Sequence, residues 1–174
     1  MHFVLLITGT PCTGKTFVAK KIAQLLNGRF VDVNKLIREK KLFVKKRGEK
    51  EKTVKLKALE RVLKKILSKE KNVVVESHLL CEMRLPCDKI IVLRCEPGVL
   101  EKRLKKRKYP QWKMKENVLA ETLDYCLVKT EENYQKSKVL QVDNTRFLSA
   151  TALLAKKRPD SVRWTAAFKP ARYI

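Results

Sequence analysis

Apolar residues along this chain fall into two alternating spacings, and the alternation predicts its elements. "FVLLIT" at residues 3–8 is a short apolar run, the pattern of a central parallel strand covered on both faces. Val18, Ile22, Leu25 and Leu26 then recur at helical spacing until Asn27 and Gly28 supply a stop. "RFVDV" predicts a second strand, and Asn34 a cap for a helix through "KLIREKKLF". Charge and a glycine break the pattern in "VKKRGEKEKT", which reads as a mobile loop. Leu56, Leu59, Val62, Leu63, Ile66 and Leu67 form the apolar stripe of a helix whose other face is lysine-rich. "NVVVE" and "KIIVLR" predict strands three and four. Pro97 and Gly98 open a helix carrying Val99, Leu100 and Leu104, which is interrupted at "KYPQW", where Pro110 disfavours helix for Tyr109. Val118, Leu119, Leu123, Cys126 and Leu127 lie on one side of a single long helix. "KVLQVD" predicts strand five, and "FLSATALLAKK" a last helix. In the basic, aromatic tail at 159–174, Trp164 and Phe168 stand four apart, a helical spacing that favours packing over base stacking.

Five apolar strands separated by helices predict an α/β fold: one five-stranded parallel sheet with helices on both faces, in three layers. Ligands bind such sheets beyond the carboxyl ends of the strands. "GTPCTGKT", residues 9–16, sits at that edge, between the first strand and the first helix. A glycine, four residues and Gly-Lys-Thr is a phosphate-binding loop, which makes the fold one of P-loop NTPase type. Its backbone amides curl around a phosphate, and the following helix adds its positive dipole end. Lys15 reaches the outer phosphates, and the Thr16 hydroxyl can ligate Mg²⁺.

The chain has 174 residues, suited to one compact domain, and is 44% hydrophobic, too much for a disordered polypeptide. Its 41 Lys and Arg exceed its 18 Asp and Glu, for a formal net charge of +23. Such an excess attracts polyanions, nucleic acid above all. No stretch approaches the roughly 20 apolar residues of a membrane helix, and no basic region precedes the first apolar run as in a signal peptide, so a soluble intracellular protein is expected. Five cysteines with no Cys-x-x-Cys pair argue against a disulfide framework or a zinc site. Cys12 differs from the other four, because a thiol in a loop that opens a helix has its thiolate favoured by the dipole.

A magnesium-bound triphosphate also needs an acid at the end of a neighbouring strand. "VVVESH" supplies Glu76, which could orient a metal-bound water, and His78, which could position water or a phosphate. Arg103 and Arg107 share a helix face just before the Tyr109–Pro110 interruption, where a lid would begin, and their charge could stabilise a phosphoryl group in transfer. Lys105, Lys106 and Lys108 read as a solvated face. Arg38, on the helix after strand two, could hold the phosphate of a second nucleotide.

These residues resemble nucleoside monophosphate kinases, most closely the small nuclear-type adenylate kinases called isoenzyme 6 and their archaeal relatives. The resemblance rests on "LLITGTPCTGKT", "VDVNKLIRE", "VVVESH" and "IIVLRCEPGVLEKRLKKRKY" followed by "KENVLAE", and spans residues 3–145. It implies a short-lid adenylate kinase that converts ATP and AMP to ADP and also hydrolyses ATP with Mg²⁺; the oligomeric state stays open, with a monomer favoured. It further implies a part in small ribosomal subunit maturation, in contact with its rRNA and a platform ribosomal protein, in the cytoplasm or, in a eukaryote, the nucleus. Residues 34–72 would bind the acceptor and 103–115 form the lid. By position Gly9, Pro11, Cys12, Thr13, Gly14, Lys15 and Thr16 would hold the ATP phosphates, with Thr16 and Glu76 at the metal. Arg38 would meet AMP, Arg103 and Arg107 the transferring group, and Asp143, Asn144 and Thr145 would border adenine. Two features depart from the family pattern. Glu76 stands where aspartate is usual, one methylene longer, and Asn34 and Lys35 replace Gly-Asp, which reverses a charge beside the acceptor site. Two other functions fit the same residues: a kinase for another small acceptor, and an RNA-binding assembly module for which nucleotide is only a switch.

Overall fold

The computed structural model describes residues 3–44, 53–162 and 164. In chain order its elements are β1 (Phe3–Thr8), α1 (Lys15–Leu25), β2 (Arg29–Asp32), α2 (Val33–Glu39), β3 (Phe43–Val44), β4 (Thr53–Val54), α3 (Leu56–Leu67), β5 (Asn72–Glu76), β6 (Lys89–Arg94), α4 (Pro97–Lys106), α5 (Gln111–Thr122), α6 (Tyr125–Asn133), β7 (Val139–Asp143) and α7 (Ala150–Ala155), with 3₁₀ turns at His78–Glu82 and Lys136–Lys138. The expected five-stranded parallel sheet is present, in the order β2-β5-β1-β6-β7.

Strand alternation sorts the core into two layers. Val4 and Leu6 of β1, with Val73, Val75 and Ile90, face Leu59, Leu63 and Leu67 of α3. Leu5 and Ile7, with Val74, Ile91 and Leu93, face Val18, Ala19 and Ile22 of α1 and Leu153 of α7. Helices therefore cover both faces, which is why the central strands carry no polar side. A smaller cluster of Cys95, Leu100, Leu104 and Val118 joins α4 to α5 beyond the sheet edge.

Several boundaries differ from expectation. β2 ends at Asp32, and that side chain, not Asn34, caps α2 by accepting a hydrogen bond from the Lys35 amide at 3.0 Å. Asp presents a charged acceptor to the helix N-terminus and so takes the capping position. The ends of the charged loop pair as a short antiparallel ladder, Phe43 with Val54 and Val44 with Thr53. Residues 45–52 lie outside the described residues. The single long helix is two, α5 and α6, because Asp124 turns into the left-handed region at φ 57°. That turn brings its carboxylate to Arg94, and it leaves Leu123, expected on the buried side, exposed. The last helix starts at Ala150, where Ser149 accepts from the Ala152 amide at 3.1 Å. Trp164 is half-buried, while Phe168 lies outside the described residues. Among the described residues no helix is long and apolar enough to cross a membrane.

Candidate functional site

The loop between β1 and α1 is held in shape by its own backbone. Gly9 has φ +133°, and a Cβ there would stand 2.2 Å from the Leu93 carbonyl oxygen of β6, so only glycine passes. Gly14 has φ +98°, and a Cβ there would meet Asn144 Nδ2 at 2.6 Å. Between them, the Thr10 carbonyl accepts from Thr13 N at 3.3 Å, Thr13 Oγ1 at 2.9 Å and Lys15 Nζ at 2.9 Å. Asn144 is fully buried and donates from Nδ2 to the Thr13 carbonyl at 2.8 Å, so it braces the loop from beneath. Cys12, with φ 69°, is half-buried against the α4–α5 cluster.

Lys15 is the first residue of α1 and is 6% exposed. Burial lowers its pKa, and nearby Glu76 partly offsets the loss. Glu76 closes β5 beside β1 and is 4% exposed. Burial raises its pKa, and Lys15 and the Thr16 hydroxyl pull it back. Thr16 Oγ1 donates to Glu76 Oε2 at 3.0 Å. Lysine, hydroxyl and carboxylate thus meet at the carboxyl ends of adjacent strands, where the topology of the sheet predicts a ligand. His78 follows in the 3₁₀ turn. Burial, then the charges of Lys15 and Lys113, lower its pKa to about 4, so it is a neutral imidazole near pH 7.

Two cavities open on either side of this group. One, of about 390 Å³, is lined by Gly14, Phe17, Arg103, Lys106 and Phe147; the other, of about 510 Å³, by Asn34, Glu76, His78, Tyr109, Lys113 and Asn117. Cys12, Lys15, Thr16 and Arg107 line both. Pro11 and Thr10 line the larger. Arg103 faces only the smaller: its Nη2 donates to the carbonyls of Thr145 at 2.6 Å and Asn144 at 3.3 Å, and its guanidinium stacks 3.9 Å from the Phe147 ring centroid. Thr145 and Asp143 bond each other and hold that turn. Arg38 is exposed on α2 and lines neither cavity. The two arginines expected to act together therefore occupy different positions, Arg103 fixed on one side and Arg107 at the boundary.

Oxygen donors from Thr16 and Glu76 suit a hard cation such as Mg²⁺. Among the described residues no group of three His, Cys, Asp or Glu forms a protein cage. That fits an ion that completes its shell with phosphate oxygens and water.

Sequence reasoning missed Thr10, Arg94, Glu121 and Phe147. Arg94 and Glu121 are each 1% exposed, with Arg94 Nε donating to Glu121 Oε1 at 2.7 Å. A signal existed in the sequence, since an arginine that ends an apolar strand and a glutamate three residues after Val118 on an apolar stripe each demand a buried partner.

A parallel sheet with a phosphate loop at its carboxyl edge and a lysine, hydroxyl and carboxylate at the loop's mouth defines a P-loop nucleotide-binding protein. A family model described as "AAA domain" matches residues 5–124. "Putative adenylate kinase" of Methanocaldococcus jannaschii is 35% identical over 140 residues, covering 80% of this chain and 75% of that protein. The protein of the same name in Pyrococcus furiosus is 34% identical over 175 residues, covering 95% and 93%. The chain belongs to this P-loop family, together with its archaeal relatives of that name. The shikimate kinase of Acinetobacter baumannii shares the fold at TM-score 0.62 and 16% identity, over 88% of this chain and 92% of that one. The gluconokinase of Sinorhizobium meliloti 1021 does so at TM-score 0.53 and 16% identity, over 88% and 93%.

Proposed function

We propose that the protein is an adenylate kinase that moves the terminal phosphoryl group of ATP to AMP, with Mg²⁺-dependent ATP hydrolysis as a second activity. The carrying observation is that two cavities share Lys15, Thr16 and Arg107 as a common wall. A donor in the smaller cavity would rest its phosphates on the loop amides, and an acceptor in the larger would face the same lysine. The bond from the terminal phosphorus to ADP breaks as one to an AMP phosphate oxygen forms. The acceptor is already an anion, so no side chain must take a proton. Lys15 and Arg107 would hold the charge of the transferring group, and Arg103, stacked on Phe147, would bound the donor side. Mg²⁺ at Thr16 and Glu76 would supply charge neutralisation on the phosphates. For hydrolysis, Glu76 and neutral His78 would orient water. Arg38 would reach AMP by movement of α2 toward the cavity, within the acceptor segment 34–72, and residues 103–115 would act as the lid.

A second reading rests on the net charge of +23. We infer a docking role on small-subunit rRNA beside a platform ribosomal protein, in the cytoplasm or nucleus, with nucleotide turnover as its timer. Phosphoryl transfer from ATP to a panel of nucleoside monophosphates and small alcohols, with and without rRNA, tests both. AMP is expected to be the best acceptor, and strong preference for a non-adenine acceptor overturns the first reading. RNA affinity that does not fall with salt overturns the second, since each neutralised phosphate releases counterions.

A further inference from the structure

Glu121 divides its carboxylate between two parts of the molecule. Oε1 accepts from Arg94 Nε at 2.7 Å and from the Cys95 amide at 3.0 Å, which ties the end of α5 to the end of β6. Oε2 leaves that structural pair and accepts from the Thr10 hydroxyl, inside the phosphate loop, at 2.5 Å. Charge-assisted bonds of this length are the stronger kind, and with Glu121 and Thr10 each 1% exposed no bulk water competes for them. The same Thr10 residue offers the carbonyl on which Lys15 Nζ and both Thr13 donors converge. Thr10 is thus fixed at its side chain by α5 and at its carbonyl by the lysine. Thr10 Oγ1 also lies 3.9 Å from Cys126 Sγ of α6.

The helix that makes this contact is the one that begins just past the Tyr109–Pro110 interruption. It lines the larger cavity with Lys113, Glu116, Asn117 and Ala120. An ion pair needed only to hold α5 on the sheet would be complete with Arg94, Cys95 and Asp124. The bond to Thr10 goes beyond that pair and ties the helix that lines the larger cavity to the phosphate loop.

We propose that Glu121 is a positioning residue for phosphoryl transfer, acting through the Thr10 hydroxyl to hold the loop carbonyl that orients Lys15. The proposal rests on the kinase reading for its kinetic consequence, and on the loop geometry alone for its structural one. In the kinase reading, a displaced Lys15 loses contacts made in the transition state more than those made to bound ATP, so the loss falls on kcat.

Thr10→Val removes the hydroxyl at nearly constant volume and leaves the Arg94–Glu121 pair in place, at the cost of an unpaired Glu121 Oε2. Thr10→Ser keeps the hydroxyl. In the full chain, Thr10→Val is expected to lower kcat about tenfold with KM for ATP within threefold, and Thr10→Ser to restore most of the turnover. Glu121→Gln, if it folds, is expected to follow Thr10→Val. Amide hydrogen exchange over residues 9–16, measured without acceptor, is expected to rise about tenfold in Thr10→Val and little in Thr10→Ser. Unchanged exchange and turnover in Thr10→Val overturn the proposal, as do a raised KM at constant kcat and equal losses in the valine and serine variants. Should the unaltered protein transfer nothing to AMP, the kinase reading falls, and exchange alone then upholds or overturns the tether.

Discussion

The phosphate loop and the surroundings of the larger cavity are built on opposite plans. The loop is braced by the protein itself: Gly9 packs on Leu93, Asn144 braces Thr13, and Lys15 is buried on the Thr10 carbonyl. By contrast the candidate cations Arg107, which lines both cavities, and Arg38, which lines neither, are exposed on helix ends. A buried, hydrogen-bonded site has met its ordering cost during folding, whereas exposed arginines must be ordered by the ligand. In the proposed kinase reading, a fixed donor side beside an open acceptor side would let binding of the second substrate complete the catalytic group and so protect bound ATP from water until then.

Removing the lysine tests this contrast most severely. Lys15→Met is expected to lower phosphoryl transfer by at least about 10³-fold, while the melting temperature holds or rises because a desolvated charge has been removed. Steady-state kinetics beside thermal melting checks both halves. Gly9→Ala should destabilise the fold by about 2–4 kcal/mol, since the Leu93 carbonyl must move and a left-handed backbone is strained. A denaturant titration reads it, and an unchanged midpoint would deny that the loop is tight. On the open side, Arg107→Ala is expected to lower kcat about 10²-fold, and Arg38→Ala to raise KM for AMP about tenfold with KM for ATP unchanged. Neither should move stability by more than about 0.5 kcal/mol. Loss of stability in either variant would erase the contrast.

The smallest effect concerns thiols. Burial raises the pKa of Cys87 to about 11 and of Cys95 to about 12, from an ordinary 9.0. A pKa above the working pH leaves the unreactive thiol in place, so raising pH from about 7 to about 9 should not make either one react with maleimide. Half-buried Cys12, at the boundary of the two cavities, is expected to label first, as mass spectrometry of the labelled protein would show.

The sheet was legible because β1, β5 and β6 are covered on both faces, and a strand with no polar side announces itself. The loop was legible because Gly9 and Gly14 have steric reasons to be glycine that survive in the letters alone. The break at Asp124 was not, since the apolar stripe of α5 and α6 runs on through it. The turn there answers a need of Arg94 from a strand 30 residues away in sequence. Asn144 reads as a polar residue at a strand end, but its contact lies 131 residues back, at Thr13. Phe147 reads as the start of a helix, and only the fold sets its ring under Arg103. What escaped is long-range polar pairing, which local periodicity does not encode.

The register of β1 bears on how the chain is made. Residues 3–7 of β1 pair with 72–76 of β5 on one side and residues 5–8 with 89–92 of β6 on the other, so β1 has no strand partner until residues 72–76 have been made. Pairing at such separation is slow to close and exposes a sticky apolar edge meanwhile. During translation, therefore, nascent α1 has no sheet to lie on, and a holdase that shields "FVLLIT" should raise the yield of correctly assembled protein.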